Sequence, residues 1–353
     1  MEDARTDHTA TRHPYGTLGS GESVDQITLS SPRLRVEVVT YGARIVSVSA
    51  PDSAGELSEV ALGLADLAAY EQDLSYLGAC VGRYANRIAG GRFVLDDRAF
   101  EISTNEPADS PVTTLHGGRR GFDAALWEAE VGPGAEVRMR RVSPDGEMGF
   151  PGDLDVTVTY RVEDADLVVE YVATATAPTV VNLTNHTYFN LAGGGSVEGH
   201  VVRIDADAIL PIDGRSIPTG ERLPVDDTPF DLRRSARIGV GLRAGHEQLV
   251  RAHGFDHTYV LDGSTTTRLA VHVDEPATGR SLELWTDRPG VQFYTANYLD
   301  GSVVGRDGAT YRQTDAFCLE PQHFPDSPNQ PSFPSTVLRP SETYRARDVY
   351  RFG

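Results

Sequence analysis

Apolar residues recur at every second position along most of the chain, the period of strands with one buried face. Residues 34–50, LRVEVVTYGARIVSVSA, alternate on both sides of a Tyr41-Gly42 interruption that predicts a bend or bulge. Residues 91–103 predict a hairpin turning at Asp96-Asp97, residues 154–176 a second turning between Glu163 and Asp166, and residues 267–286 a third. Helical periodicity is confined to the short stretch 65–78, ADLAAYEQDLSYLG. Strands spread over the whole length and joined by Gly, Pro and Asp turns predict an all-β fold, a large antiparallel β-sandwich with few short helices. No linker or composition break divides it, so residues 17–353 are expected as a single domain and 1–16 as a flexible tail.

Charge narrows the partners. The formal net charge is −19, which repels the phosphate backbone of nucleic acids and anionic membrane surfaces. It also disfavours phosphorylated substrates unless a local arginine cluster receives them; a neutral small molecule fits best. The chain has no lysine, so all 32 basic residues are arginine. Chemistries built on a central lysine are thereby excluded: Schiff-base enzymes, pyridoxal-phosphate enzymes and P-loop NTPases. Cys80 and Cys318 stand far apart and in no CxxC pattern, which implies neither a disulfide framework nor a zinc knuckle. The start of the chain is polar, and no run approaches the roughly 20 apolar residues of a membrane-spanning helix. A cytoplasmic protein is expected.

Residues 181–193, VNLTNHTYFNLAG, contain two adjacent N-x-T sequons in a segment that otherwise reads as buried strand. Alternation places Asn182, Thr184, His186, Tyr188 and Asn190 on one face, and Val181, Leu183, Phe189 and Leu191, with Asn185 and Thr187, on the other. A row of donors and acceptors with an aromatic suits a polyhydroxylated ligand; the alternative is a solvated face, which usually carries Thr, Lys, Glu and Ser. In AFCLEPQHFPDSPNQPSF (316–333), Glu320 closes an apolar strand. There a carboxyl is either partly desolvated, with its pKa raised toward the range of a general base, or turned to water. The proline-rich continuation predicts a fixed loop at the sandwich rim.

Four more stretches carry candidates. GRYANRIAGG (82–91) offers Arg83, Asn86 and Arg87, able to fork onto vicinal hydroxyls or to lie in a solvated loop. In LHGGRRGFDAALW (115–127), His116 precedes paired glycines that would let a ligand approach the backbone, or is a core histidine. In HGFDHTYVLD (253–262), His253 and His257 have the i, i+4 spacing of a metal site on a helix, but Gly254 and the residues that follow argue for a strand and against a metal; Asp256 is a site or turn residue. In WTDRPGVQFYTAN (285–297), Gln292 and Tyr294 share a strand face.

In this order and spacing, GRYANRI, LHGG…GFD…W, NLTNHTYFNL, IPTGERLPVDDTPFDLR, GFDHTYVL, TDRPGVQFYTAN and CLEPQHFPDSPNQPSFPSTVLRPSETY resemble the aldose 1-epimerase (galactose mutarotase) family, from about residue 41 to 344. The resemblance implies a sandwich holding a sugar in a groove on its concave face, with no metal or organic cofactor. It implies an isomerase of carbohydrate metabolism that interconverts the anomers of free hexoses such as glucose and galactose. Carried over residue by residue, Glu320 is the general base and His186 the general acid, expected to be charged near neutral pH by nearby carboxylates. His116, Asp256, Gln292, Asn86 and Arg87 match positions that hold sugar hydroxyls, Tyr188 matches a pocket-lining aromatic, and His323 reads as structural. The segment NEPADSPVTT reads as an expanded loop at the groove. A small aldose partner, no nucleic acid or membrane, and a monomer or weak homodimer complete the expectation. Three other readings remain: a hexose 6-phosphate epimerase, kept open by Arg83 and Arg87; a glycoside hydrolase pairing Glu320 with Asp256; and a sugar-binding module without catalysis.

Overall fold

The computed structural model describes residues 8–110, 112–261 and 266–353. The three expected hairpins form. Arg92–Leu95 pairs with Arg98–Glu101 across Asp96 and Asp97, both at positive φ, the two-residue turn whose twist matches that of its strands. Leu154–Glu163 pairs with Asp166–Ala175, and Arg268–Asp274 with Ser281–Thr286. The Tyr41-Gly42 interruption separates the paired strands Arg35–Val39 and Arg44–Pro51.

The larger strands form three antiparallel sheets. A nine-stranded sheet runs in the order Glu128–Val131, Glu136–Ser143, Leu154–Glu163, Asp166–Ala175, Tyr344–Phe352, Ser281–Thr286, Arg268–Asp274, Val201–Ile204 and Ala236–Arg237. Opposite lie a five-stranded meander, Thr9–Thr17 to Leu57–Glu59, and a six-stranded sheet centred on Phe317–Gln322, Gly290–Tyr294 and Asp256–Val260. Ile27 and Val36 of the meander, Val156, Val158 and Leu284 of the large sheet, and Phe293, Phe317 and Leu319 of the six-stranded sheet share one apolar cluster. Each such side chain contributes about 1.5–3 kcal/mol by leaving water. An all-β sandwich is therefore what the chain adopts; its helices are Leu67–Glu71, Ile238–Leu242 and Glu247–Ala252. No helix among the described residues is long and apolar enough to cross a membrane.

The six-stranded sheet sets up the site. Phe317–Gln322 and Gly290–Tyr294 are buried along their whole length, on both faces. Phe293, Phe317 and Leu319 point into the core, so alternation sends Gln292, Tyr294, Cys318 and Glu320 to the opposite face, beneath loops. Polar groups are thus seated on a floor without bulk water.

Two expectations fail. Residues 9–16 are not a tail: Thr9–Thr17 is the edge strand of the meander, in register with Ser23–Ser30. Its side chains are largely exposed, so no apolar alternation marks it; backbone pairing, with Ala10 and Tyr15 packed against core clusters, holds it. Residues 1–7 lie outside the described chain. Nor is 181–193 one continuous strand. It breaks into Thr184–Asn185, paired with Cys80–Val81, and Tyr188–Phe189, paired with Phe317–Cys318. Deleting residues 1–16 should lower the melting temperature by roughly 2–4 °C; an unchanged thermal unfolding curve would restore the tail reading.

Candidate active site

A groove of about 670 Å³ opens over the six-stranded sheet, and seven of the eight candidates line it: Asn86, Arg87, His116, His186, Tyr188, Asp256 and Glu320. His186 Nε2 stands 3.6 Å from Glu320 Oε1, with both side chains almost fully buried. The ladder explains the meeting: Tyr188 is opposite Cys318, and continuing the antiparallel register by two residues brings His186 to Glu320. The Tyr188 ring stacks on the imidazole at 5.1 Å and Tyr294 meets it edge-on at 6.1 Å. The Tyr188 hydroxyl donates to the Ser75 carbonyl at 2.8 Å, which fixes the stack.

Asn86 and His116 lock two loops together. Asn86 N–H donates to His116 Nδ1 at 3.1 Å and His116 N–H to the Asn86 carbonyl at 3.0 Å, with both residues at positive φ. Because Nδ1 accepts, the neutral His116 ring carries its proton on Nε2 and is a donor there. Arg87 is gripped by Glu106 through a two-pronged pair, Nε to Oε2 at 2.6 Å and Nη2 to Oε1 at 2.7 Å. Burial alone would weaken this guanidinium's charge; the Glu106 fork outweighs it and holds the charge in place.

Gln292 is the exception among the candidates. It lies beneath the groove, donating Nε2–H to Asp256 Oδ1 at 2.7 Å and accepting from the Thr258 hydroxyl at 2.6 Å, so it orients Asp256 and does not line the groove. Most of the polar row on 181–193 is likewise spoken for by backbone. Asn182 binds the Ala85 and His323 carbonyls and the His323 N–H, and Asn190 binds the Gly195 and Asp315 carbonyls. The paired glycines after His116 serve packing: a Cβ on Gly117 would meet the Gly82 carbonyl oxygen at 2.0 Å. Arg83 points away from the groove and donates to the Ser143, Pro151 and Gly152 carbonyls. His257 sits in a strand against Gln248 and His253 caps a helix, so the two do not converge as metal ligands would.

Sequence reading missed Tyr76 and Glu106. Tyr76 lines the groove with its ring 4.6 Å from that of His116 and its hydroxyl accepting from Asn105, at a positive-φ position in a stretch that reads as helix. Glu106 stands in the loop singled out as expanded; nothing in its spacing relates it to Arg87.

A family model described as aldose 1-epimerase matches residues 25–351. Galactose mutarotase from Rattus norvegicus is 45% identical over 98% of this chain and 99% of its own, and aldose 1-epimerase from Escherichia coli is 36% identical over 90% and 91%. Among solved structures, an aldose epimerase homologue from C. elegans superposes with a TM-score of 0.84 at 27% identity, over 98% of this chain and 99% of that one. The chain belongs to the aldose 1-epimerase family.

In this epimerase groove, burial governs the charges. Desolvation, then the field of Asp256, push the Glu320 carboxyl well above the ordinary carboxylate range, against the pull of Arg87. Desolvation takes the His186 imidazole down to about 4. The expectation that neighbouring carboxylates keep His186 charged near neutrality is therefore corrected: loss of water dominates, only the ring's own backbone bond opposes it, and the field of Arg44 adds to the lowering. His116, His186 and Glu320 bring three ligand-type atoms within 4.8 Å of one another. They do not suit a cation, because His116 Nδ1 is occupied by the Asn86 N–H and its other nitrogen holds the proton.

The Glu320 shift carries a stability consequence. A carboxyl raised on folding costs nothing while protonated in both states and weakens the fold as pH rises through its folded value. Glu320→Gln should therefore melt at a higher temperature than wild type near pH 8, with the gap closing below about pH 4.5. Calorimetry across pH checks this; a gap that widens toward acid would contradict the shift.

Proposed function

We propose that the protein is an aldose 1-epimerase, a mutarotase acting on free hexoses such as glucose and galactose. The observation that carries the reading is the 3.6 Å approach of His186 to Glu320 at the floor of a groove edged by Arg87, His116 and Asp256. The similarity to the rat and E. coli relatives supports it.

Anomer exchange requires one base and one acid beside C1. The pair holds one proton, which burial favours on Glu320. A bound sugar shifts it: the C1 hydroxyl donates to the Glu320 carboxylate, the ring oxygen accepts from the His186 imidazolium, and Arg87 favours the ionised carboxyl. Glu320 then takes the C1 hydroxyl proton while His186 Nε2 delivers its proton to the ring oxygen, and the C1–ring oxygen bond breaks. Rotation about C1–C2 turns the aldehyde. On reclosure the C5 hydroxyl returns its proton to His186, and Glu320 returns the other to the new C1 hydroxyl. Asp256, Arg87, Asn86 and His116 hold the remaining hydroxyls; Gln292 acts through Asp256, and Tyr188 supports the acid. No metal or organic cofactor enters these steps.

The groove's own charges disfavour a sugar phosphate. Asp73, Glu106, Asp256 and Asp300 line it, against Arg87 as the one cation among the described lining residues, and Arg87 is already paired. With the reading go a small aldose partner, a cytoplasmic location and a monomer or weak homodimer, the last checked by sedimentation.

Polarimetry on freshly dissolved α-glucose and α-galactose tests the activity. Wild type should speed the approach to equilibrium, and Glu320→Gln and His186→Ala should each lose at least ~10²-fold in kcat. Near-wild-type turnover by Glu320→Gln would refute the base. Release of reducing sugar from a glycoside would favour a hydrolase, and sugar binding with no change in the rotation decay would favour a silent module.

A further inference from the structure

The acid has a second partner that the reaction as written does not use. Cys318 Sγ lies 3.6 Å from His186 Nδ1, on the side of the ring away from Glu320, with both side chains buried. The placement follows from strand geometry: Cys318 and Glu320 are two residues apart on one face of Phe317–Gln322, so one strand reaches both ring nitrogens. Tyr188, whose backbone pairs with Cys318, stacks on the ring between them.

We propose that Cys318 is a positioning residue for His186, its sulfur at Nδ1 accepting the ring N–H there, so that Nε2 is the nitrogen that gains and gives the proton, and giving the imidazolium only a weak acceptor behind it. This rests on the reading of His186 as the acid. A neutral imidazole that donates its N–H from Nδ1 to sulfur leaves Nε2, the nitrogen that faces Glu320 and the sugar, unprotonated, so Nε2 can take the proton from Glu320 and is free again once the ring oxygen has received it. When the ring is charged, Nδ1–H has only a neutral sulfur to donate to, a weak acceptor. A carboxylate in the same place would trap the charge and slow its delivery to the ring oxygen; a thiol leaves the proton ready to go.

The surroundings bear on this from every side. Glu320 and Cys318 come from the Phe317–Gln322 strand, Tyr188 from the segment of the histidine itself and Tyr294 from Gly290–Tyr294. His116 stands edge-on at 5.2 Å and Tyr76 lies at 6.2 Å. After burial and the ring's own backbone contact, Arg44 adds a weaker field against the cation. Apart from the ring's own backbone, none of these reaches Nδ1. Burial also raises the Cys318 thiol well above its ordinary range, so it is present as S–H.

The test is histidine-selective ¹⁵N NMR of the full chain, with the His186 signals assigned through His186→Gln. Wild type should show a single Nδ1–H tautomer for His186. Cys318→Ala should show both tautomers, with kcat down roughly tenfold, the lower end of the loss on removing the hydrogen-bond partner of a metal-bound imidazole, and KM little changed. Cys318→Ser should restore a single tautomer. Its stronger acceptor should also move the limb of the kcat–pH profile that reports His186 to higher pH. Cys80→Ala, at the other buried cysteine, should leave both readouts as in wild type. Cys318→Ala with the wild-type ¹⁵N pattern and pH profile would overturn the proposal and leave the residue as core packing. So would Ser and Ala variants that behave alike. A wild type that fails to speed anomer exchange would instead sink the epimerase reading, since the tautomer is scored without turnover.

Discussion

Removal of water from one imidazole and one carboxyl is the constraint on which the rest of the structure depends. His186 and Glu320 are each unwelcome as ions in their setting, and each is made so by the same floor of stacked tyrosines and buried strands. Burial drives the two toward neutrality from both ends, so the proton rests on Glu320 and, in the proposed reaction, crosses to His186 only when a bound sugar meets both groups. That is the property a reversible proton shuttle needs, and an exposed pair would lack it, since water would settle each charge separately.

Such a floor is expensive to build from polar side chains, and the protein meets the cost with carboxamides aimed at backbone. Asn182, Asn185, Asn190 and Asn297 each bind backbone carbonyls or N–H groups of neighbouring segments. Leaving one such buried group unpaired costs about 1–3 kcal/mol. The loops around the groove are therefore fixed by specific bonds rather than by apolar contact. That explains how His116, just past the strand Thr114–Leu115, and Arg87, in the two-residue strand Arg87–Ile88, hold their places.

The sandwich, its three hairpins and the short helix within 65–78 were legible because periodicity and turn chemistry are local signals. Seven of the eight candidate residues were found through the likeness of whole motifs and do meet in one groove. What stayed hidden depends on distant contacts. Gln292 reads the same whether it faces a sugar or braces Asp256, and only the third dimension separates the two. The asparagines near His186 read as a ligand-binding row because sequence shows a donor without its acceptor. The Gly117-Gly118 pair suggested ligand approach, yet its space is filled by the Gly82 backbone. Thr9–Thr17 escaped notice because an edge strand exposed on most of its surface carries no hydrophobic stripe. The charge of His186 was misjudged because neighbouring carboxylates are visible in sequence and burial is not.

The ladder that joins Tyr188 to Cys318 spans much of the chain; His186 and Cys318 are separated by 132 positions. Everything at the groove waits for that closure, and the strand bearing Glu320 comes late in the order of synthesis. A nascent chain can complete its early meander while the ribosome is still working, yet it has no working centre until residue 322 has emerged and threaded between Tyr188 and Gly290–Tyr294. Competence thus arrives in one step near the end of translation, and a prematurely ended copy is inert rather than half-active.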